Sequence, residues 1–225
     1  MRKTTSLMLA GMMILSGLIS MAGSGSTGPE ESIPTGACAD LTISTPYTVS
    51  GLETWNNVTV SGVGKLIVPA GASFNATNIY LQSGSIVEII GGNVSLSSLN
   101  HAANVMFNGT CSYFNVTDGG NITMIGTDGY ADTSSPGPYV AYIPVSKGGD
   151  AGLNVTATQG LRIENSTINL TGGNGFDLPA SAATNCNAWA DSVNLDGCIS
   201  AGGNATIYFN LTDNTRAILI DNATI

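Results

Sequence analysis

Twelve Asn-x-Ser/Thr triplets stand out as residues with a chemistry of their own: Asn57, Asn75, Asn93, Asn108, Asn115, Asn121, Asn154, Asn165, Asn169, Asn204, Asn210 and Asn222. Each is an acceptor sequence for an N-linked glycan, with the asparagine amide as the point of attachment. The chain's 21 Asn and its many Ser and Thr would give only about four or five such triplets by chance. Dense N-glycosylation is one cause for the excess. Strand alternation is another. Residues i and i+2 of a strand point the same way, and the middle residue is Val, Ile or Leu in seven of the twelve. A series of half-buried strands would therefore write the same triplets without any sugar, and would leave the asparagines facing outward.

Four cysteines, Cys38, Cys111, Cys186 and Cys198, are the next group. An even count behind an export signal favours disulfides. Cys186 and Cys198 flank a polar loop and are expected to pair, which leaves Cys38 with Cys111; three pairings are possible in principle. A zinc site is not expected, since there is no C-x-x-C and His101 is the only histidine. Residues 172–177 (GGNGFD) match the start of a calcium-binding glycine-rich repeat. The apolar position of that repeat falls on Pro179 and there is one copy, so a glycine-rich corner is expected instead. No cofactor is expected; Ca²⁺ held by loop carboxylates is the one metal that the oxygen-rich surface suits.

Glycoside hydrolysis needs two carboxylates facing each other across a substrate. Asp118, Asp128, Asp132 and Asp150 are the central acids, but they lie in TDGG, GTDGYAD and KGGDAG, where Asp-Gly is first of all turn chemistry. β-Elimination needs a base near a metal-bound uronate, and only Lys147 and Arg162 are central enough. The expectation is therefore not an enzyme. Aromatic residues are few. Tyr130, Tyr139 and Tyr142 fall in one Pro-containing stretch, 129–144, which is expected to be a loop packed on the outside of the fold rather than a sugar-stacking surface.

The segments that position these groups follow from composition. Apolar residues make up 43% and charged residues 9% of 225. That is enough for a core, with far fewer charges than the roughly 25% of an ordinary soluble domain. Net charge is −9, and beyond Arg2 and Lys3 only Lys65, Lys147, Arg162 and Arg216 are basic. Four scattered cations argue against nucleic acid as a partner. Residues 1–22 read as a secretory signal peptide: Arg2 and Lys3, a fifteen-residue apolar run at 7–21, then Ser20 and Ala22 before the cut. The run is short for a membrane span of about 20 residues. Attachment to a membrane would then need an uncleaved leader or C-terminal sequence missing from this chain. Residues 23–36 are a Gly/Ser/Pro linker, and residues 37–225 the folded domain.

Within that domain short alternating runs recur between Gly and Asn: 57–61, 65–68, 78–82, 85–90, 93–96, 121–125, 154–157, 161–164, 167–170, 206–212 and 217–220. Period-two alternation over three to six residues predicts short strands. Similar elements return at Val58, Ile79 and Val94, which points to stacked coils rather than a sandwich with longer strands. Residues 180–191 are expected to form at most a helical turn or two. Segments 58–92 and 148–175 resemble right-handed parallel β-helix proteins of the pectin-lyase-like superfamily, most of all non-catalytic, Gly/Asn/Thr-rich surface proteins of archaeal type. The resemblance covers about residues 45–225, with 176–200 departing from it as an inserted loop. It implies an all-β solenoid at the cell surface and transfers no catalytic residue.

The combined expectation is a secreted or cell-surface structural protein, a glycosylated component of an envelope, sheath or matrix. An adhesin or carbohydrate-binding β-helix that takes glycans is the alternative, and a polysaccharide lyase or hydrolase the third. The last residues, 221–225 (DNATI), read as strand without a cap. The expectation is either a truncated chain or an open end through which the protein associates with itself.

Overall fold

The structure is a computed structural model that describes residues 39–100, 102–129, 147–175, 202–213 and 215–225. Among these the chain is all-β. Its fifteen strands are β1 (Leu41–Ile43), β2 (Pro46–Thr48), β3 (Leu52–Thr54), β4 (Asn57–Val60), β5 (Lys65–Pro69), β6 (Ser73–Ala76), β7 (Asn78–Leu81), β8 (Ile86–Ile90), β9 (Asn93–Leu96), β10 (Val105–Thr117), β11 (Asn121–Ile125), β12 (Ala151–Glu164), β13 (Thr167–Thr171), β14 (Ala205–Leu211) and β15 (Leu219–Asp221).

Every strand-to-strand pairing is parallel, and each strand pairs with its counterpart one coil on. The result is a nearly closed, solenoid-like stack with three strand segments per coil. On the first side run β1, β4, β7 and β14 with the first halves of β10 and β12. On the second run β2, β5, β8 and β15 with the second halves of β10 and β12. The third is the five-stranded sheet β3-β6-β9-β11-β13.

Alternation sets the core. In β4, β5, β6, β8 and β11 every second residue is buried. Register then stacks like on like: Leu41, Val58, Ile79, Phe107, Leu153 and Ile207 form one inward column. Phe74, Val94, Ile122 and Ile168 form another. Each such side chain, once fully buried, contributes about 1.5–3 kcal/mol. Phe107 and Phe114 meet edge to face at 5.6 Å, joining the first and second sides.

The coil repeat differs from the sequence expectation. Val58 and Ile79 are register partners, but the next rung after Ile79 is Phe107. Val94 belongs to the third side of the same coil, between Phe74 and Ile122. The reason is that coils lengthen at one corner, where the chain passes from the third side to the first. Segments 97–104, 126–150 and 172–204 all leave there. The leader (1–22), the linker (23–36), residues 180–191, Cys38, His101, Tyr130, Asp132, Tyr139, Tyr142, Cys186, Trp189 and Cys198 lie outside the described residues.

Candidate functional site

The outward asparagines are the candidate site with the most members, and register sorts them. At the entry to the first side Asp40, Asn57 and Asn78 lie on successive coils. Asp40 Oδ1 accepts from the Asn57 backbone N–H at 2.9 Å and from Asn57 Nδ2 at 3.1 Å. Asn57 Oδ1 accepts from Asn78 Nδ2 at 2.9 Å, and Asn78 Oδ1 from the Met106 N–H at 3.0 Å. The Asn57 N–H, with lesser help from the Asn56 and Asn57 side chains, holds the Asp40 carboxyl below its ordinary range. A second ladder continues two residues earlier in register: Asn104 Oδ1 accepts from the Asp150 N–H and Asp150 Oδ1 from the Asn204 N–H, both at 2.8 Å. Every rung but the side-chain pair Asn57–Asn78 gives a backbone donor of one coil a side-chain acceptor on the coil before it.

A third column lies at the corner between the second and third sides. Asp118, Asn165 and Asn222 have φ of +56°, +47° and +46°. Asn and Asp enter this left-handed region at lower cost than other side-chain-bearing residues. Asn222 Nδ2 donates to Asn165 Oδ1 at 2.6 Å. Asp118 thus has the turn role expected of it. Two further pairs of sequon asparagines are register neighbours, Asn93 with Asn121 and Asn108 with Asn154. Asn93, Asn169 and Asn204 are exposed, whereas Asn121 Oδ1 is buried without a hydrogen-bond partner.

The corner from which the long segments leave is built of glycine. Gly149, Gly173 and Gly203 accept backbone from the adjoining turn so closely that a Cβ would lie 1.9 Å from a carbonyl oxygen of Ala103, Thr127 and Gly149 respectively. Backbone bonds run from Gly149 N to Thr127 O, from Gly173 N to Gly149 O and from Gly203 N to Gly173 O at 2.7, 2.9 and 2.7 Å. The described part of the GGNGFD segment is therefore a packed glycine corner. Asp128 and Asp150 cap backbone N–H groups of Asn174 and Asn204 there.

All four cations of the domain are paired. Lys65 meets Glu88 at 2.8 Å, Lys147 meets Asp150 at 3.6 Å, Arg216 meets Asp213 at 3.2 Å, and Arg162 is bonded to Glu164. Arg162 is on β12 and Lys147 on the glycine corner, so the two central bases sit on different elements, each beside one carboxylate. Among the described residues no group of three His, Cys, Asp or Glu is placed to hold a metal.

The two ends of the coil stack differ in chemistry. In the first coil the inward positions of β2 and β3 are Tyr47 and Glu53, in register with Leu66 and Phe74. Glu53 Oε2 accepts from Tyr47 Oη at 2.5 Å and Trp55 Nε1 at 3.3 Å, and Oε1 from the Ser50 N–H at 3.0 Å. Sequence reading missed this cluster; Glu53 is recognisable only once its rung is aligned with Phe74. In the last coil the inward residues stay aliphatic and uncovered: Ile207 is 37%, Ile220 47% and Ile225 58% exposed. Ile207 and Ile225 line an open hollow of about 380 Å³ with Ile168, Asn169, Leu170, Thr171 and Ala205.

The expected Cys38–Cys111 bridge is not made by Cys111. That residue is a free thiol pointing into the core with no exposed surface, and burial pushes its pKa up to about 12. The continuous strand β10 carries it inward opposite Ala157. Comparison with protein-family models, curated proteins and solved structures gives no match.

Proposed function

We propose that this chain is a secreted or cell-surface structural protein: a right-handed parallel β-helix of the pectin-lyase-like kind, glycosylated, whose last coil stacks on a second copy of itself. The observation that carries this reading is the contrast between the ends. In the first coil the inward positions of β2 and β3 hold a polar, hydrogen-bonded cluster, beside apolar Leu41, Ile43 and Val49. In the last coil Ile207, in the column of Leu41, and Ile220, in the column of Val68, are 37% and 47% exposed, and Ile225 is 58% exposed. Among the described residues β14 and β15 each pair only with β12, so one edge of each offers N–H and C=O groups that a further strand satisfies. A surface that is both strand edge and aliphatic column fits another coil of the same cross-section.

The structural role is also supported by how the polar residues are used. The ladders and the four ion pairs tie coil to coil or neighbour to neighbour. Intact cells of the source organism, labelled with a membrane-impermeant biotin reagent and fractionated, test the reading. The protein is expected in the labelled envelope fraction, with a mass above the value its mature sequence gives. Recovery unlabelled in the cytoplasm would contradict it.

A second reading has one observation in its favour. The outward row Thr42, Thr59, Tyr80, Asn108, Asn154, Tyr208 places two exposed tyrosines on either side of two amides. Aromatic faces flanking amides suit a glycan chain laid along the coil axis. A glycan array with a specific hit lost in Tyr80→Ala and Tyr208→Ala would favour this adhesin reading.

A further inference from the structure

The twelve sequons are not equivalent once register is known, and the difference bears on which of them carry sugar. A glycan on Asn Nδ2 replaces one amide hydrogen with a bulky ring, so the fold must leave that nitrogen in open solvent. Whether the sugar is added before or after folding, an occupied site has to be compatible with the finished coil. Asn57 does not meet this condition. Its Nδ2 donates to Asp40 and its Oδ1 accepts from Asn78, so the amide is held between the coils on either side of it. Asn222 is exposed, but its Nδ2 donates to Asn165 Oδ1 at 2.6 Å at a corner with φ of +46°, so a sugar there would crowd the contact that ties its coil to the one before. Asn121 is enclosed at its oxygen, and its Nδ2 lies 3.5 Å from Thr123 Oγ1, the hydroxyl of its own triplet.

Asn93, Asn169 and Asn204 are the opposite case. All three are exposed, and none makes a side-chain hydrogen bond among the described residues; the hydrogen bonds they do make are from the backbone, as from Asn93 N to Ala72 O and from Asn204 N to Asp150 Oδ1. Thr171 and Thr206, the hydroxyl residues of two of the triplets, are exposed as well. Asn93 and Asn169 stand on the third side, on β9 and β13, separated by the rung of β11. Strand spacing of about 4.8 Å puts their rungs about 10 Å apart, which leaves room for a sugar on each.

We infer that the N-glycan acceptors of this chain are Asn93, Asn169 and Asn204, and that Asn57, Asn121 and Asn222 are coil-to-coil residues that stay unmodified. The inference rests on the reading of the chain as a glycoprotein. It gives the third side and the adjoining corner as the sugar-bearing surface.

Glycopeptide mass spectrometry of the full secreted chain from an N-glycosylating host is the test, with enzymatic deglycosylation in ¹⁸O-water marking each occupied site. The expected result is label at Asn93, Asn169 and Asn204 and none at Asn57, Asn121 or Asn222. Sugar on Asn57 or Asn222 in most folded molecules overturns the assignment and leaves the glycoprotein reading intact. No sugar at any of the twelve overturns both. A companion measurement needs no glycosylation. In protein made without sugar, Asn57→Gln and Asn222→Gln are expected to lower Tm by about 4 °C, with Asn93→Gln and Asn169→Gln within about 1 °C. Equal shifts in the two groups overturn the ladder half.

Discussion

The first and last coils occupy equivalent places in the same stack, and they solve the problem of a coil end in opposite ways. In the first, Tyr47 and Glu53 stand where the following coil has Leu66 and Phe74. The carboxylate collects two side-chain donors and one backbone donor. In the last, Ile207 and Ile220 repeat the aliphatic character of their partners one coil back, Leu153 and Ile163, and are 37% and 47% exposed. A half-buried carboxylate costs little when its hydrogen bonds are made, so the first coil ends the apolar column chemically. The last coil continues it. The columns at both ends are legible as one pattern, but only one end carries a residue that stops it.

Substitutions can break or sharpen this contrast. The largest effect belongs to the middle, which neither end resembles. Phe114 is fully buried against Phe107, and Phe114→Ala is expected to cost about 3–5 kcal/mol by urea denaturation. Phe209, half-buried 6.1 Å from Phe114 in the last coil, should cost under about 2 kcal/mol on the same change. Equal losses would mean that the last coil is packed as tightly as the middle and is not an open surface.

The ends themselves come next. Glu53→Ala leaves Tyr47 Oη, Trp55 Nε1 and the Ser50 N–H without that acceptor, with an expected loss of about 1–3 kcal/mol. Ile220→Ser at the other end should change monomer stability by less than about 0.5 kcal/mol. If Ile220→Ser proves the more damaging in dilute solution, the contrast is wrong.

The buried thiol gives a pH test located between the ends. The folded pKa of Cys111 is raised to about 12 from 9.0. Above pH 9 the unfolded chain loses the proton while the folded one keeps it, so fewer protons are bound in the unfolded state and stability falls as pH rises toward the folded value. The slope contributed is about 1.4 kcal/mol per pH unit. Denaturation midpoints followed from pH 9 upward should flatten in Cys111→Ala.

The smallest effect is at Asp40, whose pKa is depressed mainly by the Asn57 N–H. Its contribution is present above the unfolded value of about 3.9 and is lost as pH falls through the folded one. Asp40→Asn should make the acid side of the stability curve slightly shallower.

Much of the strand content was readable from alternation. The runs at 57–61, 65–68, 93–96 and 121–125 coincide with β4, β5, β9 and β11 to within a residue. β10 was not, because Gly109, Cys111 and Ser112 interrupt the period where the strand turns from the first side to the second. The weak strands β1 to β3 were also missed, since PYT and LET carry polar residues at inward positions. Asn93 and Asn169 are exposed on their strands, whereas Asn121 Oδ1 is buried. What a single sequence does not contain is register: nothing near Asn57 in the chain says that Asp40 and Asn78 will lie on either side of it. Counting cysteines likewise takes no account of which way a strand turns each one: Cys111 turns into the core as a free thiol, and Cys38 lies outside the described residues.

Sedimentation velocity of the intact mature protein over a wide concentration range tests the central claim most directly. If last coils stack on each other as proposed, the protein should pass from monomer to dimer with rising concentration and stop there, since a two-fold contact uses the same surface of both partners. Ile207→Asp with Ile220→Asp should hold it at monomer while the far-ultraviolet β-signal is kept, and Glu53→Gln should leave the dimer unchanged. A monomer at every concentration, or a dimer indifferent to the two aspartates, would contradict the account.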